Sequence, residues 1–271
     1  MRTELEELRR RAEERYGSAL IEVWTRPTEL RGVVALESQA EELARMLHAH
    51  WPQAEPHLVV LARRRARLGL EAADGVLEVL RRPGGRELTT QLLPGDPPAE
   101  VLARRDGHYL VRAAGEALGW VVRGAGRRVP APGPALAPPQ TYDRELVMSA
   151  ALALLGRDYV FGGTGGPGVD CSGLTWRAFQ AAGVALPRNS RAQRRVGRRV
   201  RLSELEGGDL VLAVHRSSRR TSHVALALGP EELVHACYEQ RRVLREPLAE
   251  FTRRYQVLSV RRLPGARPEL G

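Results

Sequence analysis

The sequence predicts an α+β fold in two halves, and three observations predict it. Each half opens on helical periodicity and continues into short apolar, β-branched runs, an order that suits α+β packing better than a doubly wound sheet. A Pro/Gly/Ala stretch at residues 124–140, GAGRRVPAPGPALAPPQ, separates the halves. Proline fixes φ and removes donors, so this stretch is expected to run extended as a semi-rigid linker. The 271 residues also exceed the roughly 100–200 of one domain.

The elements follow in order. Residues 1–70 read as a small α+β module, with helices over Glu4–Tyr16 and Gln39–His50 and strands over Ala19–Thr25, Arg31–Glu37 and His57–Ala62. Residues 74–123 alternate apolar and polar positions between Pro-Gly-Gly, Pro-Gly-Asp and Asp-Gly breaks, the pattern of short strands joined by turns. The ending GHYLVR…GEALGWV resembles a bacterial SH3-like barrel, which makes Tyr109 and Trp120 core or rim residues and implies a peptide-binding or positioning role. In the second half, residues 141–263, helices are expected over Asp143–Leu155 and Ser172–Ala182. Strands follow over Asp209–Val214, His223–Leu228, Glu232–Ala236 and Gln256–Val260.

Composition narrows the function. The net charge of +10 and pI near 10.7 invite an anionic polymer as partner. The chain holds no lysine, so arginine supplies all 42 basic residues, and these are scattered without interleaved aromatics. That pattern reads as a solvated face and points away from nucleic acid. No apolar run approaches the ~18 residues that cross a bilayer, so no membrane partner is expected. The opening MRTELEELRRRAEERYG lacks the apolar core of a signal peptide, which places the chain in the cytoplasm, or outside the cell if a leader was removed. A single asparagine, Asn189, fits avoidance of thermolabile residues.

Two cysteines, Cys171 and Cys237, form neither a disulfide framework nor a CxxC pair, and zinc needs more ligands at tighter spacing. Cys237 reads as a small buried hydrophobe. Cys171 stands between Asp170 and Ser172, behind a glycine loop and at the expected start of a helix. An ordinary thiol is only a few per cent ionised at neutral pH. A helix N-terminus favours the thiolate, and a histidine in reach forms a thiolate–imidazolium pair with it. Asp170 is placed to cap that helix. His223 and His235 lie on successive strands around Gly229-Pro230, so antiparallel pairing would let them face one another, with His223 as base and His235 fixing its tautomer.

From Tyr159 to Cys237 the chain resembles the NlpC-type cysteine peptidases of bacterial cell-wall metabolism, a papain-like group. The matching pieces, in order, are YVFGG (159–163), DCSGL (170–174), LPRNSRAQ (186–193), GGDLV (207–211), SHVALALG (222–229) and VHA (234–236). The resemblance implies a papain-like catalytic domain preceded by the SH3-like barrel. It further implies cleavage of the γ-D-glutamyl–diamino acid bond of peptidoglycan stem peptides, without metal or cofactor. The family roles fall on Cys171 as nucleophile, His223 as base and His235 as orienting residue. Tyr159 and the Cys171 amide would border the oxyanion pocket. Asp170 and Ser172 would line the substrate cleft, and Arg188 would hold its wall beside Asn189 and Ser190. Members that require a free N-terminal L-Ala carry an acid after the Pro-Arg pair, where this chain has Asn189. The same chemistry would serve an exported wall hydrolase. A non-catalytic binder of stem peptides would not need the cysteine and both histidines, and lipid-handling relatives often permute the motif order seen here.

Overall fold

The computed structural model describes residues 2–18, 20–26, 29–50, 52–53, 55–63, 66–132, 141–217 and 222–265. The chain divides into two compact units, Met1–Gly133 and Pro134–Gly271.

The first unit begins with α1 (Arg2–Tyr16), β1 (Ile21–Arg26), β2 (Glu29–Val34), α2 (Glu37–His50) and β3 (Glu55–Val60). Leu8, Ala12 and Tyr16 recur every four residues on α1, so they share one face, and all three are buried. Leu43 and Leu47 do the same on α2. β1 pairs antiparallel with β2, and α2 is the crossover that lets β3 pair parallel to β2. Gln39 is buried at the start of α2, where its side-chain oxygen accepts from the Ala35 and Leu36 amides at 2.9 and 3.0 Å.

The unit continues through β4 (Leu68–Glu71), β5 (Leu77–Leu80), β6 (Leu88–Leu92), β7 (Ala99–Arg105), β8 (His108–Ala113), β9 (Ala117–Val122) and β10 (Arg127–Pro130). These strands form one seven-stranded sheet in the order β10-β4-β7-β8-β9-β5-β6. Tyr109 and Trp120 are buried. Leu110, Leu118 and Trp120 join the core of α1 and α2, so residues 1–70 and 74–123 share an apolar interior. The stretch expected to be all linker contains a strand: Arg127–Pro130 pairs with Leu68–Glu71. Its one proline ends the strand, so the ladder loses no interior donor. Residues 133–140 of that linker lie outside the described residues.

The second unit holds α3 (Arg144–Leu152), α4 (Cys171–Ala181), a single turn α5 (Ser190–Gln193), β11 (Arg198–Val200), β12 (Leu210–His215), β13 (Ser222–Ala227), β14 (Glu232–Cys237), β15 (Arg242–Pro247), α6 (Leu248–Arg254) and β16 (Tyr255–Arg262). The sheet order is β11-β16-β12-β13-β14-β15, antiparallel throughout. Asp143 caps α3 by accepting from the Glu145 amide at 2.8 Å. α4 packs on α3 and lies against β13 and β14. Phe251 and Tyr255, from α6 and β16, fill a core with Val211, Ala213, Ala225, Ala227 and Leu233. Among the described residues, no helix is long and apolar enough to cross a membrane.

Candidate active site

Cys171 is the first residue of α4, placed there by a cap and a tight loop. Asp170 has extended backbone and accepts from the Gly173 amide at 2.6 Å, the N-cap bond expected of an aspartate. Its second oxygen accepts from the Gly162 amide at 2.8 Å, which draws the glycine loop onto the helix start. The approach is so close that a Cβ at position 173 would lie 2.1 Å from the Gly163 carbonyl oxygen. Only glycine fits, which explains the third letter after Asp170.

Arg188 completes this scaffold. It is 1% exposed and donates from both terminal nitrogens to the two Asp170 oxygens at 3.0 Å, a bidentate pair. It also donates to Ser172 Oγ and to the Gly163 carbonyl, each at 3.0 Å. Gln193, fully buried, donates to the carbonyls of Ser172 (3.1 Å) and Pro187 (2.9 Å) and accepts from Thr175 Oγ1 at 2.8 Å. The family resemblance implies that Asp170 and Ser172 line the substrate cleft. In the structure both are buried, and their oxygens are committed to Arg188, because a buried guanidinium requires its carboxylate. Asn189 and Ser190 stand at the start of α5, half-buried.

The two histidines are brought together. β13 and β14 pair at Leu226↔Val234 and Ala227↔Leu233, so residues 223 and 235 project on the same side as diagonal neighbours. Their rings meet edge to face, with Nε2 of His223 2.9 Å from Nδ1 of His235. His223 is stacked on Tyr255, centroids 4.7 Å apart, and Tyr255 in turn on Phe251. The next partner is one that sequence reasoning misses. Glu246, on β15, lies 3.0 Å from Nε2 of His235 and accepts from Arg254 at 2.5 Å. Arg254 also reaches the Cys237 sulfur at 3.5 Å, and that thiol donates to Glu239 at 3.2 Å. Cys237 is thus buried as expected, but among polar partners.

The helix carrying Cys171 meets the strand carrying His223, and the Val224 amide, one residue past His223, is directed at the Cys171 sulfur. No hydrogen bond joins the thiol to Nδ1 of His223 among the described residues. Burial pushes the Cys171 thiol up to about 12, reinforced by the Asp170 charge and only partly offset by the Val224 amide, Arg188 and the Ser172 amide. Burial likewise drives His223 well below its ordinary value, helped by His235, Arg254 and His215. A thiolate–imidazolium pair is the sequence expectation, and desolvation works against charge on both partners. Tyr159 is half-buried and meets Tyr238 edge to face at 5.4 Å. Burial raises its hydroxyl, and ionisation of Cys171 or Asp170 nearby raises it further, so it remains a protonated donor.

This arrangement can carry nucleophilic acyl chemistry: a thiol at a helix start, an imidazole held by a second imidazole, and a phenolic donor. Residues 156–262 match the model of the NlpC/P60 family. The second unit is thus similar to that family over this stretch, which is under half of the chain. A probable endopeptidase of Mycobacterium tuberculosis is 43% identical over 94 residues, 35% of this chain and 23% of that protein. A gamma-D-glutamyl-L-lysine dipeptidyl-peptidase of Bacillus cereus is 36% identical over 95 residues, 35% of this chain and 28% of that one. The chain thus spans about a quarter of the length of these relatives. A solved NlpC/P60 family protein from Bacillus cereus is 23% identical with a TM-score of 0.41, over 74% of this chain and 65% of that structure.

Proposed function

We propose that the second unit is a cysteine endopeptidase that hydrolyses the γ-D-glutamyl–diamino acid bond of peptidoglycan stem peptides. The observation that carries this reading is the meeting of Cys171, at the start of α4, with the strand of His223, itself bonded to His235 at 2.9 Å. The name of the Bacillus cereus relative supports the choice of bond.

Because burial disfavours charge on both thiol and imidazole, the proton leaves Cys171 for Nδ1 of His223 as the sulfur attacks the γ-carbonyl carbon. The new C–S bond turns the carbonyl into an oxyanion, which Tyr159 and the Cys171 amide stabilise; that amide has no carbonyl four residues back in its own helix to bond. Collapse breaks the C–N bond, and the imidazolium returns its proton to the departing amine. Water then attacks the thioester, giving its proton to His223, and releases the glutamyl carboxylate with the thiol restored. A free N-terminal ammonium on the substrate would want a carboxylate. Asp170 is taken by Arg188, and Asn189 offers only an amide. The proposed substrate range therefore covers blocked and free stem peptides alike.

Product analysis tests the bond. The full chain, incubated with L-Ala-γ-D-Glu-L-Lys or its diaminopimelate counterpart, is expected to release the diamino acid and L-Ala-D-Glu, with the N-acetylated tripeptide cut at a comparable rate. Release of L-Ala alone, or no cleavage of any of these peptides, would overturn the reading.

A further inference from the structure

We infer that Glu246 is a positioning residue for the candidate site, which sets the proton on each histidine ring through a four-member relay, Arg254–Glu246–His235–His223. The relay lies on one side of the sheet. In the β14–β15 pair, Leu233 is opposite Glu246 and His235 opposite Leu244, so Glu246 is the diagonal neighbour of His235, as His235 is of His223. Every link is short: 2.5 Å from Arg254 to one carboxylate oxygen, 3.0 Å from the other to His235, and 2.9 Å from His235 to His223. His235 is fully buried, with His223 and Glu246 nearly so.

The proton assignment follows from donor and acceptor rules. An ionised carboxylate only accepts. Burial would raise Glu246, but hydrogen bonds from His235 and Arg254 outweigh it and hold the carboxyl below its usual range, so it is ionised at neutral pH. Nε2 of His235 must then carry hydrogen. With one proton on that ring, Nδ1 of His235 can only accept, and Nε2 of His223 must donate. The lone pair of His223 is left on Nδ1, the nitrogen with no hydrogen bond among the described residues. When that atom takes a proton, the positive charge is shared along a chain ending on a carboxylate. Glu246 also neutralises Arg254, whose charge otherwise disfavours a cation at His223. Besides the Cys171 thiol and the Cys237 thiol at Arg254, the charged or titratable neighbours are His215 on β12, which pairs with Glu239, and Tyr255 on β16, which donates to Glu239 at 2.8 Å. Neither bonds to a ring nitrogen of His223 or His235.

Only the kinetic arm of the test rests on the peptidase reading. In full-length protein with 15N-labelled histidine, ring nitrogen shifts are expected to show His223 and His235 both protonated at Nε2 near pH 7.5. Protonation of His223 at Nδ1 would overturn the proposal whatever the turnover. Glu246→Ala is expected to populate the Nδ1-protonated form of His235 and to lower kcat by on the order of a hundredfold with KM little changed. Glu246→Gln, which keeps an oxygen to accept from His235 but no charge for Arg254, is expected to retain the wild-type shifts and recover part of kcat. Equal loss in both variants, or unchanged shifts in Glu246→Ala, would overturn it. If neither wild type nor variants cleave the tripeptide while the shifts follow the pattern, the relay stands and the substrate assignment fails.

Discussion

Among the described residues the first unit buries Ser18, Gln39, Thr89, Thr90 and Gln91, all neutral, whereas the second buries Asp170, Arg188, Asp209, His223, His235 and Glu246. Dehydrating an ion costs several kcal/mol even after relaxation, and apolar residues of similar volume often stabilise a fold as well or better. A unit that needs only to fold can avoid the expense, as the first does with its Leu, Val and Ala interior. Within the second unit the buried charges divide again. Arg188 on Asp170 and Arg262 on Asp209 are bidentate pairs with their strong contacts made. His223 has one nitrogen engaged and one open among the described residues. Full pairing marks scaffold, and an open titratable atom in a paired cluster marks chemistry.

Two substitutions sharpen that contrast. Arg188→Ala leaves Asp170 buried without its cation beneath the Cys171 loop, and is expected to cost about 3–5 kcal/mol of stability in denaturant unfolding of the full chain. A loss under about 1 kcal/mol would show that the pair is not the scaffold described here. At the other end, Arg10 on α1 bridges Glu7 and Glu14 on an open face. Salt and water screen such a pair, so Arg10→Ala is expected to leave the unfolding midpoint unchanged. A clear drop there would mean that surface charge carries weight in the first unit.

Much of the site was legible in the sequence because its signals are local. Cys171 follows a capping aspartate and precedes a helical pattern, and the structure starts α4 at that residue. His223 and His235 sit in alternating apolar runs that became β13 and β14, close to the expected bounds. What was missed depends on contacts distant in sequence. β15, RVLREP, carries exposed arginines and ends on proline, so it reads as a loop until β14 is beside it. Glu246 therefore had no visible partner, though a hairpin turn after Cys237 with antiparallel register would have set it diagonal to His235. Arg188 looked like a cleft residue because arginines are rarely buried, and only the convergence of Asp170, Ser172 and Gly163 takes it inside. The desolvation that opposes charge on the thiol and imidazole was hidden for the same reason: it is set by the packed fold.

The measurement closest to the central claim is turnover of L-Ala-γ-D-Glu-L-Lys by Cys171→Ala, which removes the thiol at the start of α4 and leaves a methyl side chain. Loss of diamino acid release to below detection is expected, with the circular dichroism of the parent retained. Turnover at the parent's rate in that variant would contradict a mechanism that runs through the sulfur of Cys171.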